Sequence, residues 1–213
     1  MSRTCRFLAL AAALSLGSAC SILPQAEPAD VYRLPSAQAV RSTPVSTVAS
    51  WSLRLNKPLA SDALNNPKIA VVPQGNLISN YKGARWSDPA PLLLRNRMLD
   101  AFQRDGRVPR LSADDSNLQA DYELAGELQA FQSEYSADGL AVVIRYDARL
   151  VQGRNQRILA SRRFEVRQPV SDKQVPAVVN GFGSASDQLM AQLVDWTLAQ
   201  ANQAQAQLQA KNQ

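Results

Sequence analysis

The clearest pattern in the chain is an alternation of apolar and polar residues between positions 140 and 150. A period of two places every second side chain on the same face of a strand. The apolar set comprises Leu140, Val142, Ile144, Tyr146, Ala148 and Leu150. A similar alternation begins at Asp121, and another spans residues 158–166 after the turn sequence QGRN at 152–155. We predict an antiparallel meander of three long strands with one face buried.

Shorter apolar runs before the meander predict additional strands. The segments WSLRL at 51–55 and KIAVV at 68–72 are short and apolar, and prolines stand close to their ends. The sequence VYRL at 31–34 is isolated in a coil rich in Pro, Ala, Ser and Thr, which predicts an edge strand. Residues 77–81 are the candidate for a further short strand.

Two segments have the apolar spacing of amphipathic helices. Ser87-Asp88-Pro89 is typical of a helix start, because proline at the first helical position loses only an amide that has no partner. Gly106 and Pro109 are expected to end this helix. Its predicted apolar face holds Leu92, Met98, Leu99 and Phe102, and its predicted polar face holds Arg95, Arg97 and Gln103. The second helix has the apolar stripe Val178, Phe182, Ala185, Leu189, Leu193 and Trp196.

Together these elements predict a single α+β domain over residues 30–200, in which two main helices pack on an antiparallel-rich sheet. The remaining residues, 201–213, are polar and of low complexity. They form either a frayed extension of the second helix or a disordered tail.

The first nineteen residues have the order of a secretory signal peptide. Arg3 and Arg6 precede an apolar run at 7–16, and small residues follow at 17–19. A membrane-spanning helix needs roughly 20 apolar residues, about twice the length of this run. We therefore predict that residues 1–19 are a signal peptide that is removed.

Cys20 stands directly after this cleavage region. The sequence LGSAC at 16–20 resembles the bacterial lipobox, whose cysteine is acylated and becomes the mature N-terminus, although Gly17 stands where that pattern prefers a large apolar residue. The resemblance implies a palmitate-type lipid anchor at Cys20 and a tether over residues 20–29. Two or more acyl chains hold a protein firmly to a bilayer. Ser21, where retained inner-membrane lipoproteins of enteric bacteria have Asp, indicates the outer membrane. The alternative is a secreted protein with an incidental cysteine.

The composition removes several kinds of chemistry. The chain has no histidine, and its two cysteines are Cys5, inside the signal peptide, and Cys20. Without histidine there are no Ser–His or Cys–His nucleophiles and no imidazole metal ligands, so we predict no catalytic site, cofactor or metal. Loss of Arg3 and Arg6 lowers the net charge from +5 to +3. This is mild for an exported protein, and we predict no nucleic-acid partner.

Three motifs resemble functional sites, but their spacing or residue types do not fit those sites. The sequence GFGSAS at 181–186 approaches the dinucleotide-binding pattern but lacks its last glycine and a convincing preceding strand. Glu123 and Glu127 lie about 13 Å apart if they share a strand, whereas glycosidase carboxylates are roughly 5 to 9.5 Å apart. Asp114 and Asp115 lack the alternating oxygen ligands of a calcium loop and are interpreted as a cap or turn.

Two features are candidates for contact with a partner. Between residues 145 and 167 arginines are opposed only by Asp147 and Glu165. Those on the polar side of two neighbouring strands are Arg145, Arg149, Arg163 and Arg167. Arginine forks suit carboxylate and phosphate groups, with an ordinary solvated strand face as the alternative. The second feature is a structured loop at 81–89 that presents Tyr81, Arg85 and Trp86, whose aromatic rings pack on a partner or, by default, in the core.

The segment IAVVPQGNLISNYKGARWSDPAPLLLRNRMLDAF at 69–102 resembles the ABC-type transport auxiliary lipoproteins of the PqiC type. That family has an early Tyr-x-Leu strand, matched here at 32–34, and a tryptophan shortly before a proline and a leucine-rich helix. A strand meander and a closing helix with a tryptophan follow, as Trp196 does here. The similarity extends over about residues 30–200.

This resemblance implies a lipid-anchored periplasmic protein without enzymatic activity, and Ser21 adds the inner leaflet of the outer membrane as its expected location. Its partners would be a mammalian-cell-entry (MCE) domain protein, an ABC permease and an ATPase that together move lipids between membranes and maintain membrane integrity. Members of the family can form homo-oligomeric rings. The alternative hypothesis is a structural or peptidoglycan-binding envelope lipoprotein without a role in transport.

Overall fold

In a computed structural model, the described parts of the protein are residues 28–36, 48–116 and 118–211. The predicted signal peptide, Cys20 and most of the tether lie outside these residues. The described residues form a nine-stranded sheet with two long helices packed against it. Neither of the helices in these ranges is long and apolar enough to cross a membrane.

The strands in chain order are β1 (Asp30–Tyr32), β2 (Leu53–Leu55), β3 (Leu59–Ala60), β4 (Lys68–Gln74), β5 (Leu77–Trp86), β6 (Leu111–Ala113), β7 (Tyr122–Ser136), β8 (Gly139–Gln152) and β9 (Arg157–Val170). The helices are α1 (Ala90–Asp105) and α2 (Val175–Lys211), and a short 3-10 turn follows β6.

The predicted meander is confirmed. Strands β7, β8 and β9 pair antiparallel along nearly their whole length, and Tyr146 lies opposite both Leu128 and Phe164 on the buried face. The β8–β9 turn closes where the QGRN motif was predicted, but Gln156 takes the left-handed φ of 57°. Gly153 allows this turn to pass close to the backbone of Ala120, because a Cβ on it would lie 2.0 Å from the Ala120 carbonyl oxygen.

The rest of the sheet corrects the prediction that it is antiparallel-rich. The other edge of β7 pairs in parallel with β2, β3 and β4, while β1 runs parallel to β5 and β2 parallel to β6. Only β4 and β5 form an antiparallel hairpin in this half. The sheet is therefore mixed. A short strand's apolar pattern is the same in either orientation, so the sequence did not distinguish them.

The early strands occur where they were predicted, and one segment that was predicted as a loop is part of a strand. β1 pairs with β5 alone, as expected of an edge strand. β5 is twice the predicted length and includes most of the segment at 81–89 that was interpreted as a loop, so that interpretation was wrong. Only residues 87–89 connect β5 to α1.

The predicted limits of α1 are confirmed. Pro89 occupies the N-cap, and Gly106 adopts a left-handed φ of 75° while its N–H donates to the carbonyl oxygen of Phe102. Leu94, Met98 and Phe102 form the fully buried stripe, four residues apart. Leu92 and Leu99, which were predicted on the apolar face, are only partly buried.

The predicted polar face of α1 was wrong for two arginines. Arg95 and Arg97 are each only 7% exposed. Arg95 Nη1 contacts carboxylate oxygens of Asp114 and Asp115 at 2.7 and 3.0 Å. Both acids lie in the 3-10 turn after β6, which confirms the prediction of a turn there. Arg97 pairs with Asp187 on α2. Burial is tolerated because each guanidinium meets a carboxylate, a pattern that spacing along one helix does not reveal.

Helix α2 begins at Val175 and continues to Lys211, so the polar tail is a helical extension through that residue. The predicted stripe is buried from Val178 to Leu193, and Trp196 packs edge-on against Phe164 with ring centroids 5.6 Å apart. The GFGSAS sequence lies inside this helix. A Cβ on Gly181 would lie 2.7 Å from Val170 Cγ2, so this glycine allows α2 to approach the sheet closely.

An aromatic cluster holds α2 to the centre of the sheet. Phe131 of β7 stacks on Phe182 of α2 with centroids 4.7 Å apart, and Trp86 meets the Phe182 ring edge-on at 5.1 Å. All three side chains are almost completely buried. Such pairs add about 0.5 to 1.5 kcal/mol each beyond their burial. The cluster therefore fixes the end of β5 beneath α2.

Candidate functional site

The four arginines predicted for partner contact lie on the face of the meander that points away from the helices. Each pairs with a carboxylate on an adjacent strand or, in one case, two strands away. The pairs are Arg145–Glu165, Arg149–Glu127, Arg163–Asp147 and Arg167–Glu134. Glu127 and Glu134 belong to β7 and lie outside the range 145–167. We call these eight side chains the ion-pair lattice.

Charges of opposite sign alternate across this lattice instead of forming a purely basic patch. Hydrogen bonding from Arg163 is the main reason that the pKa of Asp147 lies below its usual value, and Arg145 does the same for Glu165. All four arginines are partly or largely exposed. Exposed pairs of this kind contribute little to stability.

The three side chains at 81–89 that were predicted for partner contact lie in different surroundings. Trp86 has 0% exposure and takes the default position in the core, so its side chain is not accessible to a partner. Tyr81 is partly buried, and its hydroxyl lies 2.9 Å from Ser133 Oγ. Burial raises the pKa of Tyr81. Arg85 is exposed on β5. The structure therefore does not bring these three side chains together on one surface.

Glu123 lies at a polar cleft of about 840 Å³ beside the start of β7. Its carboxylate accepts from Arg54 at 2.7 Å, from Asn56 at 3.1 Å and from Gln156 at 3.0 Å. Burial alone raises the pKa of Glu123, but these donors outweigh it and leave the pKa below its usual value. The carboxylate is therefore kept ionised, and it ties β2 and the β8–β9 turn to β7.

This arrangement differs from that of a glycosidase acid, whose pKa must be raised so that it can donate a proton. Glu127, the other member of the pair considered in the sequence, is engaged separately by Arg149 in the ion-pair lattice. Within the described ranges, no three acidic, histidine or cysteine side chains gather as a metal site requires.

Sequence analysis missed a cleft beside the last turns of α2. It has a volume of about 230 Å³ and lies between that helix and the neighbouring ends of β8 and β9. The amide side chains of Gln152, Gln200, Gln203 and Gln207 line it, together with the exposed apolar Ile158 and Leu208. The helical spacing of Ala201, Ala204 and Leu208 was the available signal, but it was masked by the low complexity of the tail.

Comparison with known proteins identifies relatives of this chain. A family model described as "ABC-type transport auxiliary lipoprotein component" matches residues 32–194, from the end of β1 into α2. A crystal structure of a protein from Xanthomonas campestris is 31% identical and superposes with a TM-score of 0.77, covering 84% of this chain and 99% of that chain. A solved structure of an uncharacterised protein shares the fold at 18% identity and a TM-score of 0.62, covering 79% and 98%.

A curated relative, an uncharacterised protein of Bradyrhizobium diazoefficiens, is 28% identical over 157 residues. The alignment covers 73% of this chain and 41% of that protein, so the chain spans about two fifths of the length of this relative. The family match covers more than half of the chain and includes both the mixed sheet and most of α2. The protein belongs to the family of ABC-type transport auxiliary lipoprotein components.

Proposed function

We propose that the protein is a non-catalytic accessory subunit of an ABC-type system that moves lipids between the membranes of the envelope. The observation that carries this proposal is the family match, which extends from the end of β1 into α2. The state of the acidic groups supports it, because Glu123 is held ionised by three donors and Glu127 is paired. The role is therefore one of binding and positioning.

The partners in this proposal are an MCE-domain protein, an ABC permease and an ATPase. Cys20 carries the acyl anchor and places the domain at the inner leaflet of the outer membrane. This part is supported by the order of basic, apolar and small residues before Cys20. A homo-oligomeric ring of this subunit around the transport path is part of the same proposal.

The ion-pair lattice is the surface that we propose for the MCE-domain partner. Its alternating charges are partly exposed, and complementary charge at an interface gives specificity and faster association. Arg163 is the most exposed of the four arginines, with 61% of its side chain accessible. A partner whose charges alternate in the opposite order would form ion pairs with these side chains in place of the pairs within the lattice.

The test is affinity capture of the acylated protein from crosslinked, detergent-solubilised membranes of its host, read by mass spectrometry. We expect the MCE-domain protein, permease and ATPase to be enriched with the wild type and at least about fivefold less with Arg163→Glu, since one reversed interfacial charge costs about 1 kcal/mol or more. Arg157→Glu is the matched control, because Arg157 is exposed on the same strand outside the lattice. Capture of cell-wall proteins alone would favour the structural alternative.

Anchoring is tested separately with Cys20→Ser in a deletion strain. We expect the variant to fold, to be released as a soluble periplasmic protein and to leave the envelope defect of the deletion strain uncorrected. Full complementation by the soluble form would contradict the proposed role of the anchor.

A further inference from the structure

The β4–β5 hairpin extends beyond the cover of the helices at one end of the sheet. Residues 73–80 around its turn are all exposed. Leu77 and Ile78 are among the exposed large apolar side chains of the described residues, at 61% and 43% exposure. Residues 69–81 contain no charge, so the hairpin tip is neutral between Lys68 and Lys82. We call residues 73–80 the hairpin tip.

Register places two other turns at the same end of the molecule. Val72 of β4 pairs with Glu134 of β7 in parallel, so the end of β4 is level with the turn between β7 and β8. The end of β9 and the start of α2 also lie here, because Val170 pairs with Leu140 at the start of β8. The turns carry Asp138, Asp172 and Lys173, so this end of the domain is not basic.

The direction of β1 shows from which side the chain enters the sheet. β1 is parallel to β5, and Asp30 is level with Ala84. The chain therefore enters β1 from the side of Leu77, which precedes Ala84 on β5 by seven residues, or about 23 Å. Cys20 precedes Asp30 by ten residues, and an extended chain of that length reaches about 33 to 36 Å. An anchor at Cys20 can reach the level of the hairpin tip with slack.

The length of the tether also limits how far the domain can stand from the bilayer. An extended chain of ten residues reaches at most about 36 Å, only about 13 Å beyond the level of the hairpin tip. When the bilayer lies on the side from which the chain enters β1, the anchor therefore holds the hairpin tip close to the lipid. A neutral tip with two exposed aliphatic side chains fits the interfacial region, since burying apolar side chains is favourable there and no charge has to be desolvated.

We infer that the hairpin tip is a membrane-contact site, in which Leu77 and Ile78 insert into the lipid surface to which Cys20 is anchored. The inference rests on the proposed acylation of Cys20. Two aliphatic side chains bind a bilayer only weakly by themselves, so the contact orients an already anchored domain. Because the turns at this end are not basic, the contact is expected to be independent of anionic lipid.

The experiment uses the full mature protein, purified with its own anchor and reconstituted into phosphatidylcholine vesicles with and without phosphatidylglycerol. In the acylated mature chain Cys20 has no free thiol, so a cysteine introduced by Leu77→Cys, or by Ile78→Cys in a second preparation, takes a single environment-sensitive fluorophore. Ile158→Cys is the matched control. Ile158 is likewise aliphatic and 53% exposed, but it lies at the far end of the meander.

We expect a blue-shifted emission and at least about twofold stronger quenching by nitroxide-labelled lipid at positions 77 and 78 than at 158, with no dependence on phosphatidylglycerol. Equal quenching at the three positions, or quenching only with anionic lipid, would overturn the inference. So would the absence of quenching in pure lipid vesicles, which is the outcome if the tip instead docks on a protein.

The mass of the same preparation separates this inference from the proposed function. An unmodified Cys20 overturns both the anchor and the membrane contact that depends on it. An acylated Cys20 without quenching at the hairpin tip overturns the membrane contact alone.

Discussion

The indole Nε1 of Trp51 donates a 2.8 Å hydrogen bond to Oδ1 of Asn202, a residue 151 positions further along the chain. Trp51 stands just before β2 and is 1% exposed. Tyr122, whose ring meets Trp51 edge-on at 5.4 Å, adds a 3.1 Å hydrogen bond from its hydroxyl to Gln205. These contacts hold the polar end of α2 against the start of β2 and β7.

The hydrogen bond predicts that Asn202→Ala loosens the last turns of α2. The variant leaves a buried indole N–H without an acceptor, which costs about 1 to 3 kcal/mol. The free energy of unfolding should fall by that amount, and hydrogen exchange should accelerate after residue 200. Gln203→Ala, at an exposed neighbouring position, is the control and should change neither measurement. Equal effects of the two variants would contradict a role for the indole contact.

A second prediction concerns Gly126 on β7. A Cβ at this position would lie 2.2 Å from the carbonyl oxygen of Asp147 and 2.8 Å from the ring of Tyr146. Gly126→Ala must therefore displace β8 or the buried tyrosine, and we expect it to destabilise the protein by about 3 kcal/mol or more.

The matched control for this prediction is Gly83→Ala. Gly83 has open space around its missing Cβ, but its φ is +65°. That variant should cost only about 1 to 2 kcal/mol of backbone strain. Denaturant unfolding of both variants distinguishes a steric clash from strain, and a smaller loss for Gly126→Ala would show that β8 yields easily.

The contact between the helices predicts an asymmetry between two variants. The Arg97 side chain is 6% exposed and pairs with Asp187 across the interface of α1 and α2. Asp187→Ala leaves this buried cation with the more distant Asp100 at 3.9 Å, and should cost about 3 kcal/mol.

Arg97→Met removes the charge together with its desolvation penalty and should cost less than Asp187→Ala. Unfolding by urea measures both. A larger loss for Arg97→Met would mean that the packing of the long arginine side chain matters more than its charge.

Stability should depend on pH through Glu123. Its pKa in the folded protein lies below the usual value of 4.5, so the carboxylate stabilises the fold above that value. This stabilisation is lost as the pH falls through the folded-state pKa. We therefore expect the difference in unfolding free energy between wild type and Glu123→Gln to be largest near neutral pH and to shrink below about pH 4.

Glu127→Gln makes the same change of charge on the same strand. Its pair with Arg149 is partly exposed on both sides, so the expected loss at neutral pH is within about 1 kcal/mol. A pH profile of Glu123→Gln parallel to that of the wild type would show that other carboxylates dominate acid sensitivity.

Parts of the fold that depend on local pattern were predicted correctly. The alternation from Leu140 to Leu150 identified the meander, and Pro89 and Gly106 set the limits of α1. These features follow from neighbours in the sequence, because strand alternation and helix capping involve residues only a few positions apart.

Errors arose where a side chain meets a distant part of the chain. Arg95 was placed on a polar face because nothing in α1 shows that Asp114 and Asp115 come within 3.0 Å of its guanidinium. For Trp86 the sequence left a partner contact open beside the default core position, because the rings of Phe131 and Phe182 that surround it belong to separate elements. The arginines of the meander were interpreted as opposed only by Asp147 and Glu165, because two of their partners, Glu127 and Glu134, lie on β7.

The sequence by itself determined one α+β domain, the meander and the family resemblance, while export and the anchor at Cys20 stay predictions. All of these depend on composition or short-range periodicity. Only the tertiary structure decided the parallel pairing around β7, the neutralisation of the arginines and the exposure of the hairpin tip. The physical reason is that strand register and ion pairing are set by contacts between elements far apart in the chain, which no local pattern encodes.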